Sequence, residues 1–363
     1  MRRLLFVVAF VACGPSGTGD DAGTGTDAGI DGTKPNDAAP DAPPVKCTPG
    51  DIRCTDDKGG TQTCDESGDW VAALTCSNQT CVAGKCEGVC GPGQTQCSGN
   101  GLQTCDGTGN FGAAVACADA CCGNACVDTK TDANHCGSCS NVCGGGTTCG
   151  TTFTAFTGAQ SANWSANGSA AYDTGSNAAR MTDTGLAEAG TWIYNHPLQI
   201  DDVTIQFDFY AGDGAGADGL AMMLETNGTA ALGNTGGGLG VAGLSGFGVE
   251  MDYYNNSECS DASANHVAID ALAACGDGVP TTLAENDSPG FTIADNQWHQ
   301  MIVHVANGAF TVTGDGNTEF SGFTPSGWSN GSYYLGFGAG TGGLANNQMV
   351  RNVSVKFAAG HCY

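Results

Sequence analysis

The sequence predicts an all-β chain in which one large β-sandwich follows a series of small disulfide-rich modules. Three observations carry this reading. After residue 150, many short runs alternate apolar and polar residues, the period of a half-buried strand. Gly, Asn and Asp separate those runs, with no convincing amphipathic helix between them. Before residue 150, cysteines recur in a pattern offset by between 40 and 43 positions.

Composition sets the outer limits. A chain of 363 residues has room for two or three domains, and 59 glycines with 21 cysteines exclude an ordinary cytosolic helical enzyme. Charged residues are only 13% of the chain, yet the formal net charge is -26. Nucleic acid is excluded as a partner on this ground, because binding it requires clustered Lys and Arg to displace counterions. Neutral ligands and divalent cations fit better.

The first element, residues 1–13, reads "MRRLLFVVAFVAC": two arginines, a short apolar run, then Cys13. An apolar stretch this short does not span a bilayer as a mature helix. It resembles a bacterial lipoprotein signal peptide with its lipobox, with Phe10 where Leu is usual. The resemblance implies cleavage before Cys13, which becomes the lipid-bearing N-terminus and attaches the protein to a membrane. Gly14 stands where an inner-membrane retention signal has Asp, so the expected location is the outer membrane, lipid-anchored and surface-exposed. The alternative is ordinary secretion with Cys13 unmodified. Residues 14–46 are Asp, Ala, Gly, Thr and Pro with almost nothing to form a core, and read as a disordered acidic linker.

The cysteine-rich region covers residues 47–149. Cys47, Cys54, Cys64, Cys76, Cys81 and Cys86 are echoed by Cys90, Cys97, Cys105, Cys117, Cys121 or Cys122, and Cys126. "GGTQTCDESGDW" in the first copy stands over "GNGLQTCDGTGNF" in the second, so 47–86 and 90–126 are homologous modules. A third segment, 127–149, adds Cys136, Cys139, Cys143 and Cys149 and resembles cysteine-rich segments of myxobacterial surface proteins. Close spacing such as Cys136 to Cys139 can hold zinc in the cytosol, but an export signal argues for disulfides. With Cys13 set aside, twenty cysteines remain, an even number. Modules of this size bury too little surface to stand unaided, so cross-links supply much of their stability and the region reads as a stapled stalk.

Residues 150–363 form the sandwich. In "VTIQFDFYA", Val203, Ile205, Phe207 and Phe209 face one side, and Thr204, Gln206 and Asp208 the other. Similar runs occur at "LAMMLE", "FGVEMD", "HVAID", "MIVHVA", "FTVTG", "YYLGFGAG" and "RNVSVKF". So many antiparallel strands in one domain predict a jelly-roll β-sandwich.

One stretch of it, "VEMDYYNNSECSDASANHVAID", gathers Glu250, Asp252, Asn256, Asp261 and His266. From Met181 to Val350 the chain has no Lys or Arg and nineteen Asp and Glu, so no basic side chain there neutralises a buried carboxylate. Grouped carboxylates must then protonate, stay solvated or bind a metal. On the strand Phe247–Asp252 the side chains of Glu250 and Asp252 share one face, and the loop that follows can bring Asn256 and Asp261 back over them. Oxygen ligands including a backbone carbonyl suit Ca2+, whereas Glu, two Asp and a His suit Mn2+ or another transition metal.

This loop resembles that of the legume-type (L-type) lectins, including concanavalin A: Glu-x-Asp-x-aromatic-x-Asn, Asp five residues on, and His five after that, matched without a gap. "GADGLAMML", "GGGLG" at 236–240 and "YYLGFGAGTGG" match flanking segments of the same family. The resemblance implies a concanavalin A-like sandwich that binds glycans, polysaccharide or glycoconjugate. It implies calcium on Asp252, the Tyr254 carbonyl, Asn256 and Asp261, and a transition metal on Glu250, Asp252, Asp261 and His266. For sugar binding it implies Asp218 and Gly219, a backbone N–H from Gly238, Leu239 or Gly240, the ring of Tyr254 and the amide of Asn256. A cis peptide before Asp218 is implied as well. Because the family's terminal strands are neighbours, Cys149 is expected to pair with Cys362, while Cys259 and Cys275 are expected to form a bridge across the metal loop that plant members lack. Departures are Ala262 where Pro is usual and Asn347-Gln348 where bacterial relatives have His-Glu.

Two other functions share parts of this evidence. Retaining glycoside hydrolases of the β-glucanase type use the same sandwich with carboxylates on one strand, but need a second glutamate shortly after Asp252, where Tyr253, Tyr254 and Asn255 stand. A purely structural envelope protein leaves the Asp252, Asn256, Asp261 and His266 spacing to chance. The sequence therefore predicts a non-enzymatic lectin.

Overall fold

The computed structural model describes residues 47–256, 263–276 and 278–363. The expected lipidation site Cys13, the linker 14–46, Cys259 and Asp261 lie outside the described residues. Of the described residues, 47–52 and 63–71 form a small unit of their own, and the remainder a second, larger one.

The larger unit is dominated by two eight-stranded antiparallel sheets. In chain order the strands are β1 (Cys149–Ala155), β2 (Trp164–Gly168), β3 (Ala171–Asp173), β4 (Ala178–Thr182), β5 (Ala189–Tyr194), β6 (Leu198–Gln199), β7 (Asp202–Gly212) and β8 (Gly219–Glu225). They continue as β9 (Gly246–Asp252), β10 (His266–Ala274), β11 (Pro280–Asn286), β12 (Trp298–Ala306), β13 (Ala309–Gly314), β14 (Asn317–Phe323), β15 (Ser332–Gly340) and β16 (Asn347–Cys362). One sheet runs β3-β4-β16-β7-β12-β13-β14 with β1 also on β16; the other runs β2-β5-β15-β8-β9-β10-β11 with β6 also on β15.

The alternation read in β7 holds: Val203, Ile205, Phe207 and Phe209 are fully buried, and the residues between them are half-buried on the outer face. They meet Leu220, Met222 and Leu224 of β8 and Val249 and Met251 of β9 in a core between the sheets. Strand β8 is buried at every position, because its other face, through Ala221 and Met223, packs on Leu239, Val241 and Leu244 of the connection that follows it. A strand covered on both faces reads as a continuous apolar run, as "LAMML" does.

The cysteine-rich segments are wholly cross-linked, and the two homologous modules use one connectivity. The first pairs Cys47 with Cys64, Cys54 with Cys81, and Cys76 with Cys86; the second pairs Cys90 with Cys105, Cys97 with Cys121, and Cys117 with Cys126. Cys122 is the extra cysteine of the second module and bonds Cys139 of the third.

The expected Cys149–Cys362 bridge does not form. Cys149 bonds Cys136 and Cys362 bonds Cys143, both in the third module. The terminal strands are neighbours as expected, with Cys149 opposite Cys362 in the β1–β16 register. Adjacency in a ladder brings the two backbones together without turning the thiols toward each other, and the module beside them supplies a partner for each. Cys275 is disulfide-bonded; its expected partner, Cys259, lies outside the described residues.

Candidate functional site

Strand β9 carries Glu250 and Asp252 on one face, and the next strand starts at His266, opposite Asp252 in register. The ligand atoms of Glu250, Asp252 and His266 lie within 4.8 Å of one another, and all three side chains are buried. His266 Nδ1 donates to the Ser263 carbonyl at 2.7 Å, which directs Nε2 to Glu250 Oε1 at 3.0 Å. Burial alone would lower the His266 pKa, but the hydrogen bond and charge of Glu250, with the charge of Asp252, raise it to about 10.

The same face holds an acid that sequence reasoning missed. Asp270 lies four residues after His266 on β10, so the strand's period of two sends both side chains the same way. It is 1% exposed, with Oδ1 buried and unpartnered. Burial, then the charge and hydrogen bond of Glu250 and the charges of Asp252 and Glu285, push its carboxyl well above the usual range. Glu285 of β11 adds a further carboxylate, 3.7 Å from His266 Nδ1. One imidazole thus shares this largely buried setting with four acids, more than it balances, a group that a divalent cation fits and that burial otherwise penalises. The alternation H-x-A-x-D in "HVAID" was the available signal for Asp270.

A second group assembles beside this one. The Ala217–Asp218 peptide is cis. Asp218 is 4% exposed, and its Oδ2 is buried without a hydrogen-bond partner. Burial raises its pKa to about 6, against a backbone hydrogen bond from Gly342 that lowers it. The Asp218 N–H donates to Gly340 O at 3.2 Å, and its own carbonyl accepts the Tyr253 N–H at 3.2 Å, so its backbone is fixed to β15 and to the end of β9. Gln348, a departure from the family pattern, is the fastener: fully buried, its Nε2 donates to Ala217 O at 3.3 Å and to Gly340 O at 3.1 Å, and it also reaches the Tyr253 hydroxyl.

The glycine turn closes the group. A Cβ at Gly237 would stand 2.5 Å from Asn256 Oδ1 and 2.6 Å from Nδ2, and a Cβ at Gly342 would stand 3.1 Å from Asp218 Oδ2. Only glycine lets the backbone approach these side chains so closely. The turn differs from expectation in one respect. The amides of Gly238, Leu239 and Gly240 donate to the carbonyls of Thr235, Gly236 and Asn234, and the Leu239 side chain is fully buried in the second core. The glycines facing Asp218 and Asn256 are Gly236 and Gly237, because a 3-10 turn over Gly236–Gly238 folds the later amides inward. Gly219 is likewise buried, and a Cβ on it would stand 2.9 Å from Met251 O and 3.0 Å from Asp252 Cα. Tyr254 is 40% exposed, and its N–H donates to Asp252 Oδ1 at 2.6 Å.

The structure thus brings Glu250, Asp252 and His266 together in one cluster. Asp218, Asn256 and the glycine turn meet in a second, joined to the first through the Asp252–Tyr254 segment.

The family model described as the legume lectin beta-barrel domain matches residues 154–354. Among solved structures, the exoplasmic/lumenal domain of VIP36 in its Ca2+/Man-bound form is similar at 19% identity over 54% of this chain and 83% of that one, with a TM-score of 0.44. Basic winged bean lectin with Tn-antigen is similar at 16% identity over 58% and 98%, with a TM-score of 0.48. A lectin from Bauhinia forficata in complex with GalNAc is similar at 17% identity over 58% and 97%, with a TM-score of 0.45.

Proposed function

The chain belongs to the L-type lectin family, its legume lectin domain spanning residues 154–354, and from that premise we propose that it is a calcium-dependent lectin displayed on a lipid-anchored, cysteine-rich stalk. Membership makes the domain a carbohydrate-binding one and not an enzyme. The buried state of Glu250 and Asp252, and the commitment of Glu250 to His266, also argue against hydrolysis at this strand.

The observation that carries the sugar site is the unpartnered Asp218 Oδ2, buried beside a turn whose glycines admit Asn256. A buried acceptor without a donor is costly unless a ligand supplies one, and two adjacent sugar hydroxyls do. Asp218 then accepts from the sugar, the Asn256 amide donates to it, and the Tyr254 ring offers its face to the C–H surface of the pyranose. Asp252, Asn256, the Tyr254 carbonyl and Asp261 are the residues that would hold calcium, and Glu250, Asp252, Asp261 and His266 a manganese-like ion. The ion's contribution is to order the segment carrying Tyr254 and Asn256.

Display follows from the lipobox at Cys13 and from the placement of the ends of β16. Gln348, near its start, fastens Asp218, whereas Cys362 at its far end bonds the third module. Sixteen residues of strand separate these ends by about 50 Å. The sugar site therefore faces away from the cysteine-rich attachment. The deciding experiment is a glycan array with the purified protein in calcium and in EDTA, run beside a reducing-sugar assay. Binding in calcium that is lost in EDTA, with no sugar released, is the expected result; undiminished binding in EDTA overturns the calcium dependence.

A further inference from the structure

Two disulfides meet where the third cysteine-rich module joins the sandwich. Cys136 bonds Cys149 at the start of β1, and Cys143 bonds Cys362 at the end of β16. The Sγ atoms of Cys136, Cys143 and Cys149 all lie within 4.8 Å of one another, the one such gathering of cysteine sulfurs among the described residues. The fourth cysteine is close at hand, because Cys362 stands opposite Cys149 in the β1–β16 register. Next to that pair, Thr148 and Tyr363 exchange both backbone hydrogen bonds, N to O at 2.9 and 3.0 Å. In an antiparallel ladder the neighbour of a hydrogen-bonded pair is a non-hydrogen-bonded one, with Cα atoms about 4.5 Å apart and side chains on one face. That separation falls within the roughly 4.4–6.8 Å that a disulfide spans. The backbone is therefore set for a second pairing of the same four cysteines, Cys149 with Cys362 and Cys136 with Cys143.

We propose that this cluster is a thiol–disulfide exchange site, at which a low-molecular-weight thiol converts the first pairing into the second. The accessible bond is Cys143–Cys362, whose two cysteines are half-buried, whereas Cys136 is 0% exposed. Exchange proceeds by attack of a thiolate on one sulfur of a disulfide. The external thiolate attacks Cys143, forming a mixed disulfide and releasing Cys362 as a thiolate. Asn141 Nδ2, 3.9 Å from Cys362 Sγ, is placed to donate to that thiolate. Cys362 then attacks Cys149, its partner across the ladder, and releases Cys136. Cys136 in turn attacks Cys143 and expels the external thiolate. Three bonds break and three form, the thiol is returned unchanged, and no electrons are gained or lost. The consequence is mechanical. In the first pairing the module grips the last strand of the sandwich; in the second the sandwich is closed on itself, and the module is covalently joined to it through the peptide chain alone. Cys122–Cys139 keeps the module tied to the one before in both states. None of this rests on the sugar site, which lies at the other end of β16.

Non-reducing peptide mapping of the full chain tests the proposal, before and after incubation with reduced glutathione at mildly alkaline pH and acid quenching. The treated protein is expected to yield Cys149–Cys362 and Cys136–Cys143 peptides in equal amount, absent from the untreated map. They should account for about one chain in ten or more, as holds when the two pairings lie within about 1.4 kcal/mol of each other. Cys122–Cys139 should stay intact, with no net gain in free thiol. In the double variant Cys136→Ser, Cys149→Ser, only the glutathione adduct and the parent Cys143–Cys362 bond are expected, because Cys362 has no second disulfide to attack. A treated map identical to the untreated one overturns the proposal, as does Cys143–Cys362 opened to thiols with Cys136–Cys149 intact. New pairings that appear only together with opening of the bonds in the first two modules also overturn it, because exchange then reports general unfolding and not a site.

Discussion

Cys149 and Cys362 stand opposite each other in the ladder that closes the sandwich, yet each is bonded to a different cysteine of the module that precedes it. The module spanning 127–149 therefore holds both the first and the last strand of the sandwich covalently, and Cys122–Cys139 ties it to the module before.

Non-reducing peptide mapping is expected to link the Cys143 peptide to the C-terminal peptide and the Cys136 peptide to that of Cys149. The Cys143–Cys362 bridge spans 219 residues, and replacing both with serine should cost about 2–4 kcal/mol. Thermal melting checks the direction: the variant should unfold at lower temperature while retaining sugar affinity, because the proposed sugar site lies at the other end of β16. A Cys149–Cys362 peptide in the map would contradict the structure.

On the role proposed for Asp218, sugar binding has a pH dependence that opposes stability. Its folded pKa is raised to about 6 by burial, above an unfolded value near 3.9. A raised carboxyl favours the protonated form in the fold, so its contribution to stability is present at low pH and lost as pH rises through about 6. Sugar binding needs the carboxylate, so affinity measured in saturating calcium should be level above about pH 7 and fall as pH drops below about 6. Asp218→Asn should raise the melting temperature at pH 8, by up to about 3 kcal/mol in stability, and abolish sugar binding. A variant that melts lower at that pH would show that the buried charge is not the strained element.

The sandwich was legible because alternation is a strong local signal where one face is solvated, as in β7, and because the metal loop packs several chemically distinct residues into a short span. Cys149 shows where local information ends. Its register partner follows from the fold, but the direction of its thiol depends on a neighbouring module whose placement no spacing encodes. Asp270 was hidden for another reason: an acid inside an apolar strand looks like a boundary residue until the partner strand shows that its face is the acidic one. Gln348 could be seen as a departure, but its role in fastening Ala217 emerges only when β16 is laid beside β7 and β15.

Gly237 is the position at which a small change should separate sugar binding from folding. A Cβ there would meet the Asn256 side chain at 2.5 Å, and its own φ lies outside the left-handed region, so a side chain is opposed by Asn256 and not by the backbone. Gly237→Val should lower sugar affinity at least tenfold, about 1.4 kcal/mol, with a melting temperature close to that of the native protein. Retained affinity in titration calorimetry would show that Asn256 need not sit where it does.

Cys13→Ser tests the lipid anchor. The native protein should partition into the detergent phase and co-fractionate with outer membrane, whereas the variant should be released or mislocalised. Mass spectrometry of the mature N-terminus settles the outcome: a soluble native chain beginning elsewhere would leave the protein secreted and not anchored.

Metal removal returns to the acidic face of β9 and β10. Glu250, Asp252 and Asp270 are buried together with His266 as the cation facing them, so the metal-free fold carries a surplus of negative charge. A bound divalent ion stabilises the folded state by RT ln(1 + [L]/Kd), about 2.7 kcal/mol at a hundredfold excess over Kd. For a domain of this size that amounts to a shift in melting temperature of roughly 5–10 °C, lost in EDTA and restored by added calcium. Asp252→Asn keeps the shape of the side chain while removing one negative charge, so its effect should change sign with the ion. In EDTA the variant should melt at or above the native temperature, because the carboxylate surplus is smaller. In calcium it should melt below it, because the ion no longer binds. A native protein whose melting temperature ignores EDTA, or a variant that still gains from calcium, would mean that these carboxylates are held together by protonation alone.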